Sequence, residues 1–181
     1  KQEPQVEREL LHAYRKMAHT LLQSGDPIRA KSALDNASSL SETLNADGGN
    51  NLASQREVMI SHFDLGNVNI QLEKLQQAKK HLVAASRIAS KRAASEQNST
   101  AVQADLSVSY QWLGFLARLQ SQLPEAAKHL AKSWLIGEYL LNSEPQNLEL
   151  VRNGVWSYNA ILDLSLRPNP PLSTLELHTR A

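Results

Sequence analysis

Apolar residues recur along this chain at intervals of three and four, the spacing that stacks side chains on one face of an α-helix. Leu75, Ala78, Leu82, Ala85 and Ala89 form one such stripe, and Leu106, Tyr110, Leu113 and Ala117 form another. Between the stripes lie polar clusters rich in turn formers: "NADGGN" from Asn45, "SEQNST" from Ser95 and "NSEPQN" from Asn142. Asn, Gly, Ser and Pro favour turns over regular elements, so these clusters predict the ends of helical segments. Shorter breaks divide each segment in two. Asp26-Pro27 and Leu123-Pro124 put proline where a helix's first turn tolerates a missing N–H. The pattern predicts helices in pairs.

The pairs repeat on one ruler. Leu65-Gly66 returns as Leu113-Gly114, 48 residues on, and Ala78, His81 and Leu82 return as Ala126, His129 and Leu130. One interval earlier, Met17, Ala18, Ala30, Leu34 and Ala37 fall into the same register. One interval later, Ser109-Tyr110 becomes Ser157-Tyr158. Three full units, at about 5–46, 50–95 and 99–143, and a partial fourth at 147–165 are expected within a repeat domain covering 1–165. The small residues Ala18, Gly66 and Gly114 are expected to let the second helix of each pair come close, with Ala30, Ala78 and Ala126 as the facing small residues. Ser54 to Glu57 and Thr100 to Gln103 match the spacing of a helix-starting capping box.

Composition supports helices and narrows function. Of the 181 residues 41% are hydrophobic but only 5% are aromatic, which leaves little for the β-branched and aromatic runs of strands. Nineteen basic residues against 18 acidic give a net charge of +1, without the cationic excess of a nucleic-acid-binding chain. No cysteine is present, which excludes thiol catalysis, cysteine-held zinc and disulfides. No apolar run approaches the ~18 residues of a membrane span, and no signal peptide is visible. A chain that starts without Met is read as a fragment of a longer protein. The compartment stays open, with the cytoplasm favoured.

The repeated residues resemble the tetratricopeptide repeat, whose pattern is an aromatic, two residues, Leu-Gly, then later Ala, three residues and a large apolar side chain. Tyr110-x2-Leu113-Gly114 with Ala126-x3-Leu130 carries it most fully. His62-x2-Leu65-Gly66 with Ala78-x3-Leu82, and Tyr14-x2-Met17-Ala18 with Ala30-x3-Leu34, are fainter copies. The period departs from the family's ~34 residues, so each helix should be about two turns longer. This long-period form is similar to repeats attached to bacterial serine/threonine kinases and other bacterial signalling proteins. The resemblance implies an all-α solenoid of about seven helices, a right-handed superhelix of antiparallel hairpins.

It also implies a concave groove lined by the first helix of each pair. The groove positions are His12, Arg15, His19 and Leu22 in the first unit, and Ile60, Phe63, Asn67 and Ile70 in the second. The third unit supplies Val108, Gln111, Phe115 and Arg118, and the fourth helix Trp156, Asn159 and Asp163. Phe63 and Phe115, the two phenylalanines of the chain, would anchor apolar side chains of a peptide. Arg15, Asn67 and Arg118 would orient its backbone or an acidic group. The competing reading makes the same residues packing between neighbouring repeats. The family's carboxylate clamp is not expected, since its places hold Arg15, His19, Asp64, Val108 and Trp112, and Asp64 would repel a carboxylate.

Chemistry finds little footing. The six histidines form no HExxH pair, and His81 and His129 are expected on a solvated polar face. No glycine-rich phosphate loop is present, and no motif places an acid to orient a Ser–His pair. The expectation is a non-enzymatic module that binds a protein or peptide, with no metal or cofactor and no nucleic-acid or membrane partner. The alternative is self-association through the unsealed end of the array, where Trp156, Tyr158, Ile161 and Leu164 lack a covering helix. Residues 166–181, with Pro168, Pro170 and Pro171, are expected as a non-helical tail, with "LSTLEL" a possible groove occupant.

Overall fold

A computed structural model of the chain describes residues 4–48 and 51–148, together with 152, 155, 156 and 158–160. The protein is all-α. Six helices follow in order: α1 (Pro4–Gln23), α2 (Pro27–Asp47), α3 (Leu52–Gln71), α4 (Leu75–Ser95), α5 (Thr100–Leu119) and α6 (Leu123–Ser143). The described residues beyond 148 are helical as well, and no strand occurs among the described residues. Every start and every end among α1, α3 and α5 is separated by 48 residues, and the same holds for α2, α4 and α6. An apolar stripe alone sets a face and leaves the ends free to drift. Something more specific holds the ends in step.

That device is the turn within each pair. Gly25, Glu73 and Ser121 occupy the same place in the repeat, and all three take left-handed backbone, with φ of 78°, 58° and 58°. In each, the left-handed residue's N–H bonds back to the carbonyl three residues before it: Leu22, Ile70 or Arg118. The next N–H reaches five residues back, to Leu21, Asn69 or Ala117. This is the Schellman arrangement, which satisfies carbonyls that a helix end would otherwise orphan. Glycine enters left-handed backbone freely, whereas Glu73 and Ser121 bear a Cβ cost there.

Helix starts are less uniform. The Asp26 side chain accepts from Arg29 N–H at 3.0 Å and Pro27 opens α2. Asn51 caps α3 by accepting from Ser54 N–H, and Ser99 caps α5 by accepting from Val102 N–H. The capping boxes expected at Ser54 and Thr100 are therefore corrected: both residues lie inside their helices, and the caps precede them. Asn and Ser at that place accept from the N3 amide without any partner at the box's fourth position. Gln122 begins α6 with no side-chain cap. The α2 helix also runs through "NAD" to Asp47, so the first polar cluster starts as helix and breaks only at Gly48.

By packing the chain divides into two compact units, Lys1–Arg92 and Ala93–Ala181. In the first, α1 packs on α2 and α2 on α3. Ala18, Ala30, Ala33, Leu34, Leu65 and Val68 make one core, against which Tyr14, Leu21, Leu22 and Leu72 rest. Within the same unit α3 approaches α4 at Gly66, where a Cβ would sit 2.7 Å from Leu82 Cγ. In the second unit α5 packs on α6, and a Cβ on Gly114 would meet Leu130 Cγ at 2.7 Å and the Ala126 carbonyl oxygen at 3.3 Å. The facing side chain is thus the large Leu82 or Leu130, a correction to the expected Ala78 and Ala126; Ala126 faces Gly114 only with its carbonyl oxygen, and both alanines are fully buried. Burying each leucine contributes about 1.5–3 kcal/mol. The missing Cβ is what lets it seat.

Candidate functional site

The positions expected to line a groove fall into three environments. His12, His19 and Asn159 are exposed, and Ile60, Asn67, Val108, Phe115 and Trp156 are half-buried. Phe63, Ile70, Gln111 and Arg118 are buried, with at most a tenth of their surface open. Leu22 is half-buried against the core of the first unit. Asp163, Ile161, Leu164 and the tail from 166 lie outside the described residues. The accessible positions of this set are therefore the half-buried residues and the exposed His12, His19 and Asn159. Burial leaves Phe63 and Ile70 little to offer a ligand.

Arg15 is the best-defined member of the set, and its guanidinium is turned toward α3. Nη1 pairs with the Glu57 carboxylate. Nη2 donates to the Glu57 carbonyl oxygen at 2.6 Å and to Ser61 Oγ at 2.9 Å. Nε lies 3.4 Å from Asp64 Oδ2. One planar cation thus spans three residues of the next first helix, a use that suits arginine's forked donors. Burial pushes the Asp64 carboxyl up to about 6, against the pull of Arg15 and with the push of Glu57. The cluster is a polar rivet between α1 and α3: both Nη atoms are hydrogen-bonded, and Nε has only the ion-pair contact with Asp64.

A second polar layer lies between the helices of a pair. His62 on α3 and His81 on α4 bring their Nδ1 atoms to 3.2 Å, with ring centroids 5.4 Å apart. Two protonated rings cannot share that contact, so one nitrogen donates and the other accepts. Burial lowers the pKa of both, and in His81 the neighbouring His62 and Lys31 add to the effect. At the same places in the second unit Tyr110 stacks on His129 at 6.0 Å, and Lys132 lies 5.2 Å from the Tyr110 ring centre. His129 Nε2 pairs with Glu125 at 3.2 Å, and its pKa is lowered chiefly by burial. The solvated face expected for His81 and His129 is corrected: each is half-buried against the aromatic position of the first helix. The repeat itself carried that signal, because positions 62 and 110 recur together with 81 and 129.

Among the described residues, no group of three His, Asp or Glu side chains could hold a metal ion. No helix among them is long and apolar enough to cross a membrane. What recurs is surface. Successive first helices carry half-buried Ile60, Asn67, Val108 and Phe115 at equivalent repeat positions, and α1 carries exposed His12 and His19. The fold class is an all-α array of repeated helical hairpins. No family model matches the chain, and neither a curated protein nor a solved structure is detectably similar to it.

Proposed function

We propose that this chain is a non-enzymatic scaffold module that binds a protein or peptide through its first helices, as a regulatory part of a larger bacterial signalling protein of tetratricopeptide type. The observation that carries the reading is the 48-residue register of α1, α3 and α5, which gives equivalent surface positions on successive first helices. Ile60, Val108 and Phe115 are half-buried at those positions, enough to gain from further burial at about 25 cal/mol per Å² while still reachable. On α1, His12 and His19 are exposed and supply hydrogen-bonding groups. The test is capture of binding peptides from a random display library, followed by titration against Ile60→Ala and Phe115→Ala. Each substitution is expected to weaken the selected peptides by about tenfold, as truncated aromatic and aliphatic anchors do. Unchanged affinity in both folded variants would remove the groove from the reading.

A second reading, self-association, is favoured by one feature of the second unit. Leu135, Tyr139, Val155 and Tyr158 are each about half exposed or more, a concentration of large apolar side chains there. The Tyr158 ring meets the half-buried Trp134 ring at a tilt of 46°, with centroids 5.4 Å apart. Sedimentation of the chain at rising concentration distinguishes the readings, since a monomer throughout removes this one.

A further inference from the structure

We infer that the outer face of α4 docks an acidic amphipathic segment of a partner protein. This surface lies on a second helix and does not depend on the first-helix groove proposed above. The charge distribution is the first observation. The α4 helix carries five basic residues, Lys79, Lys80, Arg87, Lys91 and Arg92, and no acidic one. At the equivalent places α2 carries two basic against three acidic residues, and α6 two against two. Arg92 is buried, while Lys79, Lys80 and Arg87 are exposed, so a chain of net charge +1 concentrates positive charge along this helix face.

The shape of the face is the second observation. Gln76, Lys79, Lys80, Val83, Ala84 and Arg87 line a shallow depression of about 400 Å³. Val83 is 39% exposed, with Lys79 and Lys80 one turn before it and Arg87 one turn after. Lys80 and Arg87 are seven residues apart, two helical turns on one side of the rod. Among the described residues Lys79, Lys80 and Arg87 take part in no ion pair, whereas Arg15, Arg29, Lys31 and Lys128 all do. Like charges repeated along a helix face repel one another, and an incoming row of carboxylates relieves that repulsion.

The apolar centre selects the class of partner. A sugar–phosphate backbone offers nothing to Val83 and Ala84, and the chain lacks the overall cationic excess of a nucleic-acid binder. A membrane-surface helix needs large apolar side chains such as Trp, Phe and Leu on its buried side, and this face presents only valine and alanine. An acidic helix with carboxylates two turns apart and leucine between them matches both features: the ion pairs set orientation and on-rate, and the leucine fills the depression.

The experiment uses the full chain and a synthetic helical peptide of about 18 residues, long enough to hold a helix, with Glu two turns apart flanking Leu. The same peptide with Lys for Glu, a duplex DNA and phosphatidylserine vesicles serve as competing probes. The acidic peptide is expected to bind, and Lys80→Glu with Arg87→Glu to weaken it at least about tenfold through charge reversal. Val83→Ser is expected to weaken it by about threefold, and raising salt from about 50 to about 300 mM to weaken it further. Arg29→Glu, on exposed α2 surface, should leave binding unchanged. These substitutions sit on exposed side chains, and thermal unfolding checks the fold, with Lys80→Ala as the milder variant. Absence of peptide binding overturns the inference, as does binding indifferent to Lys80 and Arg87. Tighter binding of DNA or vesicles than of the peptide, insensitive to Val83, overturns it in favour of a plain polyanion site. Loss of Phe115-dependent peptide capture leaves this result untouched, so the two proposals fail separately.

Discussion

The hairpins α3/α4 and α5/α6 have matching lengths, turns and register, yet they fill equivalent interior places with different chemistry. Where the first unit buries Met59 and Ala85 fully, the second buries Ser107 and Ser133, whose hydroxyls meet at 2.9 Å while Ser107 also donates to the Ser133 carbonyl at 3.1 Å. The α1/α2 hairpin sides with the apolar version, placing Leu11 and Ala37 there. Where α3/α4 joins two imidazoles, α5/α6 stacks a phenol on one. The second unit adds a further tie at its edge, since hydrogen bonds from Thr100 and Asn147 hold the Glu144 carboxyl below its ordinary range. The difference teaches that the backbone spacing is set by what stays constant, a small residue against a leucine and a left-handed turn. The remaining layers can be apolar or polar so long as each polar group finds a partner.

The sharpest way to break the likeness is to add a methyl where the pairs touch. Gly114→Ala is expected to cost about 1–3 kcal/mol of overpacking, less about 1 kcal/mol regained from helix propensity. Gly66→Ala should cost less, because only the Leu82 side chain must move, whereas Gly114 also faces the immobile Ala126 carbonyl. Urea unfolding of both variants checks the order, and equal or stabilising effects would show that close approach is not what glycine provides.

The serine layer is tested by a double-mutant cycle. Ser107→Ala and Ser133→Ala singly should each destabilise by about 1 kcal/mol, and the double variant by less than their sum, because the second change removes the group the first left wanting. Strict additivity would mean that the two hydroxyls do not work as a pair.

At the turns, Glu73→Gly and Ser121→Gly should each stabilise by up to about 1 kcal/mol, and Gly25→Ala should destabilise by a similar amount. Melting temperatures decide this, and a loss of stability on placing glycine would contradict the left-handed assignment.

The gentlest contrast is in pH dependence. His62 and His81 are held below the ordinary histidine range, so the unfolded chain takes up protons first as pH falls. Their contribution is intact above about 6.5 and is lost as pH drops toward the folded-state values. His62→Tyr, which copies the Tyr110–His129 pair, should flatten that slope. Asp64 acts in the opposite sense. Its raised carboxyl favours the folded chain at low pH, and that advantage is lost as pH climbs through about 6. Asp64→Asn should therefore gain stability relative to the parent at pH 7 compared with pH 4. Denaturant midpoints across this range show both slopes, and parallel profiles for parent and variants would refute the assignments.

Much of the fold is legible in the residue order. The 3–4 spacing of Leu75 through Ala89 reported a helix, and the interval linking Gly66 to Gly114 reported that the helix pairs repeat. Both signals are local or periodic, and so survive in a linear string. The site was legible only in part. Burial assigns Phe63 and Ile70 mainly to packing, and Arg15 bonds residues 42 to 49 positions ahead, a distance at which no local motif speaks. The caps at Asn51 and Ser99 carry no local signal that separates them from the box spacing at Ser54 and Thr100. His81 and His129 were misjudged because histidine alone does not announce its partner, while the paired recurrence of 62 with 81 and 110 with 129 did.

Taken alone, the order of residues determined helix type, helix length and the 48-residue interval, because each depends on neighbours within a turn or two or on simple repetition. Only three-dimensional packing decided which side of each helix met another, that a leucine side chain rather than an alanine one faces Gly66 and Gly114, and that Arg15 is committed to α3. Those outcomes depend on volumes and partners brought together from distant positions, where a difference of one methyl group or one buried carboxylate selects the arrangement.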